Sequence, residues 1–174
     1  MASKQSQLRL GFLTAVDLGD GGFVGGMLVA DRFGRPLEFQ CTTPVKPNRT
    51  QQLLYGPTLV PFILGELLAK TLVERVSIKP DIVLTNREEM LDLRPLVEKP
   101  VLFAAGGEQR SPHLVVSVGA KAFRAHEDYA ADVEAVRKLA TGVSEESDLH
   151  EPLERVEEAL RETLGAATPK PRVA

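Results

Sequence analysis

Two short apolar runs, Asp81 to Thr85 and Val101 to Ala105, enclose a helix-patterned stretch, Arg87 to Leu96, with acids in its first turn. Strand, helix and strand within some twenty-five residues make a βαβ unit, which implies a parallel pair with a right-handed crossover. That unit constrains the chain more than any other feature. It commits the architecture to α/β, in two or three layers around a mixed sheet.

The segment before it reads as a meander. Leu8, Leu10, Phe12, Ala15 and Val16 form a loosely alternating strand ending near Asp17. A Gly19-Asp20-Gly21-Gly22 turn leads to a second strand, Phe23 to Ala30, and Asp31 to Pro36 connects tightly into Leu37 to Thr43. Pro47, Asn48 and Thr50 supply helix-start signals for Gln51 to Tyr55, and Thr58 restarts a helix that runs to about Val76. Its apolar set, including Leu59, Phe62, Ile63, Leu67, Leu72 and Val76, is wide enough to predict a mostly buried helix. After the βαβ unit come a polar loop, Gly106 to Pro112, and a last strand, Leu114 to Val118. Two helices follow, about Glu127 to Ala140 and Pro152 to Leu164. The predicted fold is therefore a mixed sheet with an N-terminal three-stranded antiparallel meander, a central helix, a βαβ unit and two C-terminal helices. Residues 1–7 and 166–174 are expected to be disordered, 8–140 to form one domain, and 141–165 an acidic helix beyond a hinge at Thr141 to Ser144.

Composition narrows the function classes. With 43% hydrophobic and 26% charged residues over 174 positions, wholesale disorder is excluded. A net charge of -3 argues against nucleic-acid binding by bulk charge, so a nucleic-acid partner is expected to be unlikely. The single cysteine, Cys41, rules out an internal disulfide and reads as a buried strand residue. No Cys/His spacing suits zinc, and no uninterrupted apolar run approaches the ~20 residues of a membrane span. A polar N-terminus without a signal-type apolar core gives a soluble, reducing, cytoplasmic setting as the expectation.

Three short pieces stand in order: Val16-Asp17-Leu18, Tyr55-Gly56-Pro57 and Lys79-Pro80-Asp81-Ile82-Val83-Leu84. Together with the order of elements they resemble the ribonuclease H-like fold, and within it the endonuclease V branch. There an Asp closes the first strand, a Tyr/Pro/Gly segment opens the helix and a Lys-Pro-Asp-hydrophobic strand follows. The resemblance covers about half the chain. It implies a divalent-metal nuclease with Asp17 and Glu66 as metal-ligand candidates. Two-metal chemistry needs carboxylates converging on ions ~3.5–4 Å apart. The end of the later strand is Thr85-Asn86, neither a carboxylate, and Asp81 lies on the order of 13 Å away at the strand's other end. The departure points to a nuclease function that has been lost.

Other candidates carry less chemistry. The five glycines from Gly19 to Gly26 precede a strand, Met27 to Ala30, so a hairpin turn explains them better than a phosphate loop. Thr43, Lys46, Asn48 and Arg49 stand where a strand hands over to a helix N-terminus, a suitable anion-binding arrangement; the alternative is an Asn48 cap with solvated cations. Histidines at 113, 126 and 150 assemble no triad with Cys41 or any serine. The final helix carries a stripe, Leu149, Leu153, Val156, Leu160 and Leu164, on a segment of eight acids and two arginines. Such a stripe needs one surface, of this domain or of another chain.

No convergent catalytic set emerges. The leading expectation is a non-catalytic interaction or regulatory subunit without a cofactor, using the C-terminal helix for a protein partner or for self-association. The alternatives are a divalent-metal nuclease of ribonuclease H-like fold, and a module binding a phosphate-bearing small ligand near Lys46 and Arg49.

Overall fold

In the computed structural model, which describes residues 7–104 and 111–167, the first strand lies inside the sheet, next to its centre. β1 (Arg9–Asp17) pairs antiparallel with β2 (Phe23–Asp31) on one side and parallel with β4 (Ile82–Thr85) on the other. β3 (Pro36–Cys41) adds antiparallel to β2, and β5 (Val101–Ala104) adds parallel to β4. β6 (Val115–Val118) and β7 (Lys121–Ala125) form a hairpin that closes the far edge. Among the described residues the sheet has seven strands in the order β3-β2-β1-β4-β5-β7-β6. The meander and the parallel βαβ pair are as the sequence predicts. β7 is an addition: Lys121-Ala122-Phe123-Arg124-Ala125 has one large apolar residue, too thin a pattern to read as a strand, yet Phe123 is fully buried.

Alternation along the central strands supplies two cores. Leu10, Phe12 and Val16 point to one face, with Ile82 and Leu84, while Leu13 and Ala15 point to the other, with Val83. Both faces are covered, so these strands are apolar on both sides, as buried parallel strands are. The first cover is helix α1, Arg49–Arg75, which sends Ile63, Leu64, Leu68, Ala69 and Leu72 into the second core. The 3-10 turn Gly56–Thr58 lies within this segment, and Gly56 takes φ +53 there, so the backbone turns at Tyr55-Gly56-Pro57 between two helical stretches, as the sequence predicts. A π-helical stretch follows, Phe62–Leu68, where a Cβ at Gly65 would come 2.5 Å from the Glu89 carbonyl oxygen. The crossover itself, Glu88–Leu96, is 3-10 rather than α-helical, and Pro95 sits inside it. By length and composition α1 is apolar enough to cross a bilayer, with a third of that window buried in the protein.

The second cover is α2 (Asp132–Leu139) and α3 (Glu151–Ala167). Leu149, Leu153, Val156 and Leu160 of the predicted stripe are buried with Phe12, Val24 and Leu28, and Leu164 packs against the same core. The stripe is thus spent on the chain's own sheet. α2 begins later than predicted, because the residues from His126 form hydrogen-bonded turns instead, Tyr129 N–H donating to His126 O and Asp132 N–H to Tyr129 O. Of the expected polar loop Gly106 to Pro112, residues 106–110 lie outside the described residues, as do 1–6 and 168–174 of the termini expected to be disordered, whereas Ala166 and Ala167 continue α3.

Two adjacent glycines in β2 set how closely the covers approach. A Cβ at Gly25 would lie 3.1 Å from Leu72 Cδ1 on the α1 side, and one at Gly26 would lie 2.9 Å from Leu160 Cδ2 on the α3 side. A hairpin and strand reading of this glycine run is correct, and close helix packing is the added reason for it.

Candidate functional site

Open α/β sheets bind ligands beyond the carboxyl ends of their strands. Here that end is where β4 finishes beside β1, which runs four residues further to Asp17. Their register, Leu13 beside Thr85, puts Thr14 next to Asn86. Thr14 is fully buried and shares its face with Phe12, so it points toward α3. Its Oγ1 donates to Asn86 Oδ1 at 2.5 Å and lies 3.3 Å from Glu157 Oε1. Asn86 Nδ2 donates to the same Glu157 oxygen at 2.9 Å. Arg161, one turn later on α3, stands 3.8 Å from the other carboxylate oxygen. A hydroxyl, an amide and a carboxylate from three elements therefore close one cluster at the mouth of the sheet.

Asp17 lies at the same end of the sheet but does not join this cluster. It is three positions beyond Thr14, about 10 Å along the strand, and of opposite parity, so it faces the α1 side. Its exposed carboxylate accepts from the Gly19 N–H at 2.8 Å, an ordinary turn. Thr14, not Asp17, is the residue beside the 85–86 turn, because β1 outruns β4. Glu66 is exposed on the π-helical stretch of α1 and is not brought to the cluster. Among the described residues no three His, Cys, Asp or Glu side chains group closely enough to hold a metal ion.

The anion candidates flank the same mouth. Val45 bridges to Phe23, which pairs with Asp17, so the 43–49 segment lies at the carboxyl end of β1. Asn48 caps α1, its side chain accepting from the Gln51 N–H at 2.8 Å while Gln51 reaches back to the Asn48 N–H at 2.9 Å. Lys46 is engaged with Asp20 at 3.3 Å. The Gly22 backbone N–H, and after it Lys46, hold the Asp20 carboxyl below its usual value. Thr43 and Arg49 are exposed, and Arg49 has no ion pair among the described residues. Arg87 follows Asn86 directly and has a buried Nε without a hydrogen-bond partner among the described residues.

The two-metal centre that the resemblance implies does not fit these residues. Thr14, Asn86 and Glu157 offer one carboxylate where two ions need several, and their polar atoms are already turned toward one another. Sequence reasoning missed Thr14 and Glu157. The signals were there, one polar residue in the apolar run 10–16 and one acid beside Val156 on the buried stripe, but only strand register brings them together.

No family model and no curated protein matches the chain. Solved structures do. The chain is similar to endonuclease V of Ciona intestinalis in complex with a 24mer DNA containing an inosine followed by a ribo-adenosine. The likeness has a TM-score of 0.52 at 11% identity and covers 94% of this chain and 88% of that one. A variant of the same protein with a 23mer DNA gives a TM-score of 0.49 at 10% identity, covering 94% and 88%. The fold likeness to endonuclease V is thereby shown. Two expectations are corrected with it. The non-catalytic interaction subunit loses its ground, since the stripe it relied on is buried in this sheet and the fold is that of a DNA-bound nuclease. A protein partner in preference to nucleic acid falls for the same reasons.

Proposed function

We propose that this chain engages nucleic acid at the carboxyl end of β1 and β4. The observation that carries the reading is the shared fold with a DNA-bound endonuclease V, together with a polar cluster and cations at the strand ends. Arg49, Arg87 and Arg161 would meet phosphates, with Lys46 contributing once Asp20 releases it; none of this needs a strongly basic chain, because local charge sets the contact. Thr14, Asn86 and Glu157 would fix the edges of the mouth, holding α3 against the ends of the strands.

Fluorescence anisotropy with labelled single-stranded and duplex DNA tests this. Binding should weaken as salt rises, and Arg49→Ala with Arg161→Ala should weaken it further and flatten the salt slope by about one per lost contact. Binding that ignores both changes would remove the mouth as the interface. Phosphodiester cleavage is the second reading, favoured by the likeness to endonuclease V and by Glu157 at the strand ends. Incubation of inosine-containing DNA with Mg2+ or Mn2+ decides it. Cleavage abolished by Glu157→Gln would place the chemistry at this cluster, whereas cleavage abolished only by Asp17→Asn would place it on the other side of β1.

A further inference from the structure

The opposite end of β1 carries a groove of about 650 Å³. Arg9, Arg32, Phe33, Leu37, Lys138 and Leu139 line it. Its size falls within the ~300–1,000 Å³ of small-molecule sites. β1 begins here with Arg9 and ends at the mouth with Asp17, so the two places are about 26 Å apart along the strand.

The β2–β3 turn builds the groove's aromatic wall. Asp31 Oδ1 accepts from the backbone N–H groups of Phe33 at 2.9 Å and Arg35 at 3.0 Å, and Gly34 takes φ +83 to complete the turn. Phe33 is left 78% exposed, and Leu37 and Leu139 in the same lining are exposed beside it, so the apolar surface here is grouped rather than scattered. The Arg32 guanidinium lies 4.7 Å from the Phe33 ring centroid, and a Cβ at Gly142 would come 3.3 Å from its Nη1, so Arg32 is held between the ring and the turn after α2. Arg9, Arg32 and Lys138 have no ion pair among the described residues. The one acid in the lining, Asp31, is occupied by the turn, and Asp81 accepts from the Arg9 backbone N–H at 2.9 Å.

We infer that this groove binds a nucleotide unit, its base stacked on Phe33 and its phosphates met by Arg9, Arg32 and Lys138. Three cations attract any anion. The exposed ring selects one with a planar face, and every base has one. An acidic peptide would satisfy the cations and leave Phe33 in water. The unit is either a free nucleotide or a residue of a single strand, and both present the same base and phosphate to the groove. Nothing in this inference depends on the mouth of the sheet.

The full chain is titrated with etheno-adenosine triphosphate, followed by its fluorescence, with inorganic tripolyphosphate, adenosine, polyglutamate and an oligothymidylate as competitors. The nucleotide should bind, and tripolyphosphate should compete roughly tenfold more weakly because it lacks a base to stack. Phe33→Ala should weaken the nucleotide by roughly that factor and leave tripolyphosphate unchanged, whereas Arg32→Ala with Lys138→Ala should weaken both. Arg49→Ala with Arg161→Ala, which weakens binding at the mouth, should change none of these affinities, which separates the groove from the mouth. Displacement by oligothymidylate below the concentration at which the free nucleotide saturates identifies a strand as the source; its absence identifies the mononucleotide. No nucleotide binding, an affinity indifferent to Phe33→Ala, or preferential displacement by polyglutamate would each overturn the assignment.

Discussion

The two faces of the sheet are closed by elements of opposite origin. On one face α1 starts at Arg49, soon after β3 ends at Cys41, and the crossover that follows packs beside it. On the other face the cover comes from the far end of the described chain, and its contact with β1 joins residues 143 positions apart. The near cover packs through apolar side chains and a π-helical bend. The remote cover packs through apolar side chains and the Thr14–Asn86–Glu157 cluster, so the polar groups lie where the longest-range contact has to be specified. The comparison teaches that the mouth of the sheet is also the place where α3 is registered.

Removing residues 144–174 should have the largest effect. It uncovers Phe12, Val24, Leu28 and Leu84 together, so the truncated chain is expected to lose cooperative thermal unfolding and to aggregate on size-exclusion chromatography. A monomeric truncation with an unchanged melting curve would break the comparison outright. Asp132→Ala comes next. Asp132 and Arg94 are paired at 2.7 Å with side chains only 9% and 13% exposed, and Arg94 also stacks 4.0 Å from the Tyr129 ring centroid. The pair ties the crossover on the α1 side to α2 on the α3 side. Leaving Arg94 without its carboxylate should cost about 3–5 kcal/mol in urea denaturation, and Arg94→Met in the same chain should restore part of it.

Gly26→Ala should destabilise by roughly 1–3 kcal/mol, since its Cβ meets Leu160 of the remote cover, and Leu160→Val should relieve it. Gly25→Ala presses on Leu72 of the near cover with slightly more room. An equal cost at both glycines, without rescue at Gly26, would show that the two covers yield alike. The smallest effect is confined to acid. Glu38 accepts from Gln40 Nε2 and from the backbone N–H groups of Ile78 and Ser77, and these bonds, the Gln40 one first, hold its carboxyl below 4.5. A depressed carboxyl contributes its stabilisation in full above its unfolded pKa and loses it as pH falls through the folded value. Glu38→Gln should therefore be less stable at neutral pH and lose less on acidification below pH 4.5, by thermal melts across that range.

Much of the fold was legible because it rests on local patterns. The runs 82–85 and 101–104 with a short spacer specify a parallel pair, and the Gly/Asp turns at 19–22 and 31–36 specify a meander. β7 was not legible, because its neighbours β5 and β6 rather than its own composition make it a strand. The close approach of the crossover to α1, where a Cβ at Gly65 would meet the Glu89 carbonyl oxygen, joins two elements that no short window of sequence contains. The candidate site failed to show for a related reason. Asp17 is a sound strand-end carboxylate by pattern, and only the relative lengths of β1 and β4 turn Thr14 toward Asn86 and Glu157.

The remoteness of α3 has a consequence for how the protein is made. β1 leaves the ribosome well before the helix that covers one of its faces, which follows 143 positions later. At ~5–20 residues per second, that interval is on the order of 7–30 s. Throughout it, α1 can already shield Leu13 and Ala15, whereas Leu10, Phe12 and Val16 have no cover of their own. The nascent chain thus presents one finished surface and one adhesive one, a half-made sheet that a chaperone would grip from a single side.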